Sequence, residues 1–433
     1  MKALVKHLYS KPKYAKIFTW GKLIAISGSA QVLVQIFGFV SGIIVIRLLS
    51  TKEYALYTLA NTMLGTLCLL ADGGVSAGVM AQGGRHWQDR EKLGVVLATG
   101  LHLRRKFAIG SLIISIPVLG YLLMLHGASF LMCVLIVASI IPAFYAALSD
   151  NILEIAPKLR QDIIPLQKNL IAANVGRLLM IALTLFVFPW TFVAILGNGI
   201  PRIWANIRLQ KISSKYADLS QQPDAEIQKE ILITVRKILP GAIYYCVSGQ
   251  ITIWIISLFG TTASVAQVGA LGRLAMLIGL FGVLFNTLVV PRFSRLPNNK
   301  ASILKHFIIA QAALIALCGM IIVLSLTFTT QMLWLLGNNY SNLKSEIILS
   351  IGGSCLALIT TASFSLNTSR GWNLTPLISI PVSIAAIVCG VWFINVATIK
   401  GILMLNIFVG TVEVAMYIFY GLLKIFRLKQ AAY

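Results

Sequence analysis

Long apolar runs separated by short polar turns repeat along the whole chain. A bilayer core about 30 Å thick requires roughly 20 apolar residues per helix, and the sequence supplies twelve such stretches. The predicted spans are 23–46, 54–80, 107–125, 129–149, 169–188, 191–207, 238–258, 264–290, 306–329, 346–366, 374–394 and 401–423. The first run is too long for the hydrophobic region of a cleavable signal peptide, so we expect it to remain as a spanning helix.

The composition agrees with this pattern. Hydrophobic residues make up 58% of the 433 positions and charged residues only 11%, against about 25% charged residues in average globular proteins. Surface that faces lipid must replace the missing charged surface, which argues against a water-soluble enzyme. The formal net charge is +23, and such an excess indicates an anionic partner or an anionic membrane face.

Basic residues determine the predicted orientation, because short cytoplasmic loops retain Lys and Arg. With both termini in the cytoplasm, 29 of the 36 Lys and Arg residues lie in cytoplasmic segments and four lie in outer segments. The longest polar stretch, 213–229, separates two blocks of six spans. We therefore predict an all-α polytopic membrane protein with twelve transmembrane helices in two six-helix lobes. The N-lobe covers 1–210, a cytoplasmic linker 211–235 and the C-lobe 236–433, a layout typical of transporters with a repeated half.

Three ionisable residues lie deep within predicted spans: Arg177, Arg273 and Glu413. Such a group costs at least about 2.5 kcal/mol on insertion scales unless it faces a wet cavity or a partner. The guanidinium group is a rigid, permanently charged fork that suits phosphate oxygens, which makes the arginines candidate binding residues. The alternative is an ion pair between helices, formed by Glu413 with one of the arginines.

Arg47 and Asp72 lie nearer the ends of spans, where charged side chains commonly reach the membrane interface. Arg47 closes the first span, and it is either a binding residue or an interface anchor. Asp72 is followed by Gly73 and Gly74, so it either caps or bends the second span, or it contributes to proton coupling.

Uncharged polar residues form stripes with helical spacing. Gln31 and Gln35 share one face of the first span, and Tyr244 begins a similar stripe on the seventh. Stripes on the leading span of each lobe can line a hydrophilic cleft, although hydrogen-bonded helix packing uses the same residue types. The pair Gly38 and Gly42 is interpreted as a close-packing site.

The sequence does not contain a P-loop or an H-E-x-x-H metal site. The outer connections are short and nearly uncharged, and only residues 331–346 form a connection of any length. We therefore expect neither catalytic residues nor a cofactor or metal, and we expect no nucleic-acid partner. A membrane enzyme of polysaccharide assembly remains an alternative to a carrier.

Four segments resemble a known family. Residues 47–57, RLLSTKEYALY, and 71–78, ADGGVSAG, resemble the first helical hairpin of the polysaccharide transporters in the multidrug/oligosaccharidyl-lipid/polysaccharide (MOP) flippase superfamily. Residues 268–274, VGALGRL, and 290–294, VPRFS, are similar to the eighth helix and its inner end in the same family.

This resemblance implies a V-shaped pair of lobes in the bacterial inner membrane that exports undecaprenyl-pyrophosphate-linked sugar units, as Wzx-type O-antigen flippases do. Cationic cavity residues hold the pyrophosphate in such flippases, and Arg273, Arg177 and Arg47 are the matching candidates here. The expected partners are the lipid-linked oligosaccharide and membrane lipids, with polysaccharide polymerase and chain-length components as further candidates.

The membrane potential can drive such an export. Export of negative charge from an inside-negative cell is favourable by about 2.3 kcal/mol per charge per 100 mV, so no ATP site is required. The alternative within the superfamily is a MATE-like cation or drug antiporter. Such an antiporter needs buried carboxylates, whereas this sequence offers two deep arginines and one deep glutamate.

Overall fold

A computed structural model describes residues 12–428 except 298 and 373, and within that range the side chains of 12–27, 245 and 247 are not described. Every regular element in this part of the chain is a helix. The predicted cytoplasmic location of the termini depends partly on Lys2, Lys6, Lys11 and Lys429, which lie outside the described residues.

Eight helices form the N-terminal half. They are α1 (Pro12–Leu48), α2 (Thr51–Asp72), α3 (Val75–Arg85), α4 (Arg90–Leu125), α5 (Phe130–Leu153), α6 (Ile155–Leu159), α7 (Ile163–Val187) and α8 (Thr191–Ser213). Ser50, Asp89 and Ser129 accept hydrogen bonds from the first free N–H groups of α2, α4 and α5. These caps fix where the helices begin.

Ten helices form the C-terminal half. They are α9 (Ala225–Ser248), α10 (Ile251–Phe259), α11 (Thr262–Ala275), α12 (Gly279–Leu288), α13 (Val290–Ser294), α14 (Lys300–Thr327), α15 (Thr329–Leu336), α16 (Lys344–Ser369), α17 (Pro376–Phe393) and α18 (Ile399–Phe426). A 3₁₀ turn, Asn338–Tyr340, connects α15 to α16.

The helices agree with a polytopic membrane protein. All twelve predicted spans fall on helices, and ten described helical segments are long and apolar enough to cross a membrane. The other two predicted spans correspond to α8 and to the pair α9 and α10. Large apolar side chains are strongly exposed, including Ile113 at 69%, Phe186 at 81% and Leu377 at 87%. Such a surface is stable in lipid rather than in water.

Two differences from the predicted boundaries have identifiable causes. The second span is broken between α2 and α3, because Gly73 and Gly74 adopt φ values of 48° and 94° that favour glycine. Asp72 is the last residue of α2, and it accepts the N–H of Ser76 at 3.3 Å in the first turn of α3. Within the predicted linker 211–235, the segment outside helices is 214–224, because Asp224 accepts the N–H groups of Glu226 and Ile227 at 2.9 Å and α9 begins at Ala225.

The bundle has two distinct ends. Turns 49–50, 126–129, 188–190 and 260–261 lie at one end, which we call the far end, because successive long helices alternate in direction. Turns 86–89, 160–162 and 214–224 lie at the other end. We call this the basic end, since it carries most of the described lysines and arginines outside the spans.

The two halves pack against each other through the first helical hairpin. Within the N-terminal half, α1 packs on α7, α2 on α4, and α5 on α8. Within the C-terminal half, α16 packs between α14 and α18. Helix α2 also packs on α11 toward the far end, and α3 packs on α9 at the basic end. Groups near the middle of α1 and α2 therefore face the boundary between the halves.

Candidate functional site

Arg177 and Arg273 meet on the same face of α1, one from each half of the protein. A methyl group added at Gly38 would lie 3.0 Å from Nη2 of Arg177, and one added at Gly42 would lie 3.1 Å from Cδ of Arg273. The two glycines are one helical turn apart, about 6 Å along the axis. Their missing side chains leave the room that the two arginines occupy.

Tyrosine side chains surround the arginine pair. The guanidinium of Arg273 lies over the ring of Tyr57 at 5.9 Å from its centroid, and it is also next to Tyr54. Tyr57 is close enough to Arg177 to interact with its charge as well. Tyr54 is 1% exposed, so this side of the pair is closed to water. A tyrosine ring stabilises a cation by its quadrupole without neutralising the charge.

Neither arginine forms an ion pair within the described part of the chain. The alternative interpretation, an ion pair between Glu413 and one of them, is wrong. Glu413 instead accepts a hydrogen bond from Ser383 at 3.1 Å, between α17 and α18. Nε of Arg177 is buried without a hydrogen-bond partner. Two cations without a carboxylate counterion form a site suited to an anion.

The polar stripe of α1 continues the face that carries the two glycines. At 100° per residue, Gln31, Gln35, Gly38 and Gly42 fall within about 60° of one another around the helix. Gln31 and Gln35 are half-buried, and Oε1 of Gln35 is buried without a described hydrogen-bond partner. The stripe extends from the arginine pair toward the basic end.

A polar cavity of about 540 Å³ lies between α2, α5, α7 and α8 in the N-terminal half. Arg177 is part of its wall, and Leu166 and Leu209 lie near its basic end. Along α7, the distance from Leu166 to Arg177 is eleven residues, or about 16 Å. The cavity therefore extends along α7 from Leu166, where Leu166 and Leu209 pack with Leu153, to Arg177.

The acidic residues of this cavity are already paired. The Asp150 carboxylate lies 3.0 Å from Nε of Arg202 and also accepts a hydrogen bond from Asn206 at 2.6 Å. Glu154 lies 2.7 Å from Nζ of Lys158. Because Asp150 pairs with Arg202 and Glu154 with Lys158, Arg177 is the charged wall residue without a described ion-pair partner.

Arg104 is a buried charge that the hydropathy pattern places among the loop charges before the third span. Arg104 is 1% exposed, and its Nε lies 3.5 Å from the Asp72 carboxylate. The signal for its position was Asp89, because an aspartate before Arg90 and Glu91 is typical of a helix start. Helix α4 indeed begins at Arg90, which places Arg104 four turns inside it.

Arg47 lies at the far end, and its guanidinium group is engaged apart from the arginine pair. It donates hydrogen bonds to the carbonyls of Trp334 and Leu335 at 2.5 and 3.0 Å, and it lies 4.7 Å from the Trp334 ring centroid. Both partners belong to the C-terminal half, so Arg47 joins the two halves. Its predicted role in binding stays a prediction.

Other contacts also join the halves at the far end. The His126 ring nitrogens lie 3.1 Å from Oγ1 of Thr262 and 2.9 Å from the Ser257 carbonyl. The rings of Tyr54 and Tyr340 meet edge to face, with centroids 6.5 Å apart. The far end is therefore closed in this structure.

Tyr244 is half-buried on α9. Its neighbour Cys246 donates from its thiol to the Thr66 carbonyl at 3.6 Å, which places this part of α9 against α2. The predicted binding role of Tyr244 and the predicted coupling roles of Glu413 and Asp72 remain predictions.

The sequence matches no protein-family model and no curated protein. Solved structures are similar. A multidrug resistance MATE family transporter of the MOP superfamily in an inward-facing conformation superposes with a TM-score of 0.73 and 14% identity, covering 92% of this chain and 96% of the other. An outward-facing conformation of such a transporter gives a TM-score of 0.63 at 14% identity, covering 98% of both chains.

A third similar structure is a MOP superfamily transporter from Pyrococcus furiosus. It has a TM-score of 0.64 and 14% identity, with 98% of each chain covered. A reversed polarity of its binding pocket has been taken to suggest a different function for that protein. Because each likeness covers nearly the whole chain, the protein has the fold of the MOP superfamily transporters.

Proposed function

We propose that the protein is a flippase that moves a lipid-linked oligosaccharide with a pyrophosphate headgroup across the membrane by alternating access. The observation that carries this proposal is the pair Arg177 and Arg273, two cations without a described carboxylate partner that meet on the glycine face of α1. A pyrophosphate offers several anionic oxygens to two guanidinium forks. Each half supplies one arginine, so a bound pyrophosphate contacts both halves.

The cavity and the surface fit the remaining parts of such a substrate. A polar headgroup cannot cross hydrocarbon unaided, and the cavity of about 540 Å³ has polar wall groups beside Arg177. The lipid tail stays in the bilayer while the headgroup moves. We assign the basic end to the cytoplasm of a bacterial inner membrane, since basic residues are retained on that side.

Alternating access requires the far end to open. The contacts of Arg47 with Trp334 and Leu335, and of His126 with Ser257 and Thr262, close that end. A substrate that enters from the basic end reaches the arginine pair behind this closed end. Opening breaks those contacts and releases the headgroup on the other side.

A cation or drug antiporter is the second candidate, favoured by the similarity to MATE family structures. It needs a carboxylate that is free to bind an organic cation. In the described structure Asp72 and Asp150 are paired with Arg104 and Arg202. Glu413 accepts a hydrogen bond from Ser383 and does not line the cavity, and the uncompensated charge in the cavity wall is that of Arg177. The charge balance therefore favours an anionic substrate.

Reconstitution tests the proposal. Purified protein is placed in liposomes with a fluorescent undecaprenyl-pyrophosphate oligosaccharide in the inner leaflet, and its appearance in the outer leaflet is followed. We expect protein-dependent movement without a change in the mass of the lipid. A change in mass indicates an enzyme, and uptake of ethidium without lipid movement indicates the antiporter. Either result contradicts the proposal.

A further inference from the structure

The wall of the polar cavity is rich in one side chain. Five asparagines contribute to it from four helices: Asn61, Asn151, Asn169, Asn174 and Asn198. An asparagine amide carries two N–H donors and a carbonyl acceptor. Hydroxyl groups of a sugar also donate and accept hydrogen bonds, so a wall of amides matches a neutral carbohydrate better than an apolar chain.

Asn169 has an acceptor that the protein leaves without a partner. It is 8% exposed, and its Nδ2 donates to the Ala205 carbonyl at 2.9 Å. This bond fixes the side chain, and Oδ1 is buried without a described hydrogen-bond partner. Buried polar groups in native proteins nearly always have a partner. Because this oxygen is covered in the present structure, neighbouring side chains must move before a ligand hydroxyl reaches it.

Three other asparagines have side chains available for hydrogen bonds to a ligand. Asn61, Asn151 and Asn198 form no side-chain hydrogen bond to another residue in the described part of the chain, and Asn61 and Asn198 are half-buried. The charged wall groups cannot take this role as readily, because Asp150 is already paired with Arg202. Apart from Arg177, which belongs to the arginine pair, the free hydrogen-bonding capacity of the cavity wall therefore belongs mostly to neutral amides.

Position and size give the cavity a definite relation to the arginine pair. Its volume of about 540 Å³ lies within the range of roughly 300–1,000 Å³ that is typical of small-molecule sites. Arg177 belongs both to the cavity wall and to the arginine pair. A headgroup with its pyrophosphate at Arg177 and Arg273 thus places its first sugars beside the asparagines.

We infer that this asparagine cavity is a carbohydrate subsite that binds the neutral sugars next to the pyrophosphate. The inference rests on the proposed function and adds a recognition element to it. The arginine pair binds every lipid pyrophosphate, whereas the asparagines distinguish a glycosylated lipid from a bare one.

Binding to protein in nanodiscs tests the inference. The probes are sugar-free undecaprenyl pyrophosphate and the same lipid carrying glucose, galactose, N-acetylglucosamine or a neutral disaccharide. We expect at least one glycosylated lipid to bind the native protein more tightly than the bare lipid. Asn61→Ala and Asn198→Ala remove no described internal hydrogen bond, so both variants should fold.

Each substitution should weaken binding of the preferred glycosylated lipid by about threefold to tenfold, the effect of one hydrogen bond, and leave the bare lipid unchanged. Asn169→Ala provides a further test at the buried acceptor. Asn406→Ala is the matched control, since Asn406 bonds to Thr252 in the C-terminal half. It should alter neither affinity.

The outcomes distinguish failure of the carbohydrate subsite from failure of the proposed function. Equal binding of all glycosylated lipids and the bare lipid by the native protein overturns the carbohydrate subsite and leaves the pyrophosphate site in place. Unchanged binding by all three cavity variants also overturns it. If neither the bare lipid nor any glycosylated lipid binds the native protein, the proposed function itself is refuted, and the subsite falls with it.

Discussion

Glycines on α1 allow a test of the arginine pair that removes no charge. A methyl group added at Gly42 would lie 3.1 Å from Cδ and 3.4 Å from Nε of Arg273, tighter than ordinary carbon contacts of about 3.5–4.0 Å. Valine at this position adds two further methyl groups in the same direction. We therefore expect Gly42→Val to displace Arg273 from the face of Tyr57.

The size of the effect follows from the contact that is lost. A hydrogen bond to a charged group contributes about 1.5–3 kcal/mol, which corresponds to roughly 10- to 150-fold in affinity. Gly42→Val should weaken binding of undecaprenyl pyrophosphate by that factor, measured with protein in nanodiscs. Gly38→Val should act in the same way on Arg177, whose Nη2 would lie 3.0 Å from an added methyl group.

Gly28→Val is the matched control on the same helix, because no atom of the described residues outside its own helical turn lies within 4 Å of a methyl group added there. Both substitutions place valine in one helix, so their effects on helix propensity are equal. Thermal unfolding checks that each variant is folded. If Gly42→Val does not fold, the smaller substitution Gly42→Ala replaces it. If Gly42→Val and Gly28→Val bind the lipid with the same affinity, the reasoning is refuted.

Three further predictions concern other charged groups. Asp72→Asn leaves the buried Arg104 charge without its counterion, so it should destabilise the protein by about 3–5 kcal/mol and lower its unfolding temperature. The double variant with Asp72→Asn and Arg104→Met should recover most of the lost stability. If it recovers none, Asp72 and Arg104 do not stabilise each other. Arg47→Ala removes a contact between the halves at the far end. A cysteine placed at Thr58 in a cysteine-free background should then react faster with an impermeant thiol reagent. An unchanged reaction rate contradicts the role of Arg47 in closing the far end. Glu413→Gln should fold normally, but transport should lose its response to a pH gradient if Glu413 couples protons, and a retained response excludes that role.

The fold was predictable because hydrocarbon restricts the possible structures. Backbone groups in lipid must form their hydrogen bonds within a segment, so long apolar runs become helices. All twelve predicted spans fall on helices for that reason. Boundaries at the basic end were less predictable, since helices there continue into polar sequence that a hydropathy pattern excludes. Helix α4 begins at Arg90, seventeen residues before its predicted span.

The candidate site was only partly predictable. Deep charges stand out in an apolar sequence, which is how Arg177 and Arg273 were found. Their common contact with Gly38 and Gly42 depends on how three distant helices pack, and the spacing of the glycines indicated only a close approach. The asparagine cavity has no local signature, because its five asparagines come from four helices and share no spacing.

Which charged side chains pair with each other also depends on the tertiary structure. A sequence shows that Glu413 and Arg273 are both deep, but not that α17 supplies Ser383 to the glutamate. In the same way, nothing in the spacing of Asp150 and Arg202 indicates that they lie 3.0 Å apart. These pairs decide which charges remain available to a substrate.

The central claim is that Arg177 and Arg273 hold a pyrophosphate beside α1. A high-resolution structure of the protein in nanodiscs with undecaprenyl pyrophosphate tests it most directly. We expect diphosphate density in contact with both guanidinium groups, next to Gly38 and Gly42. Diphosphate density elsewhere in the protein, with both arginines unchanged, would contradict it.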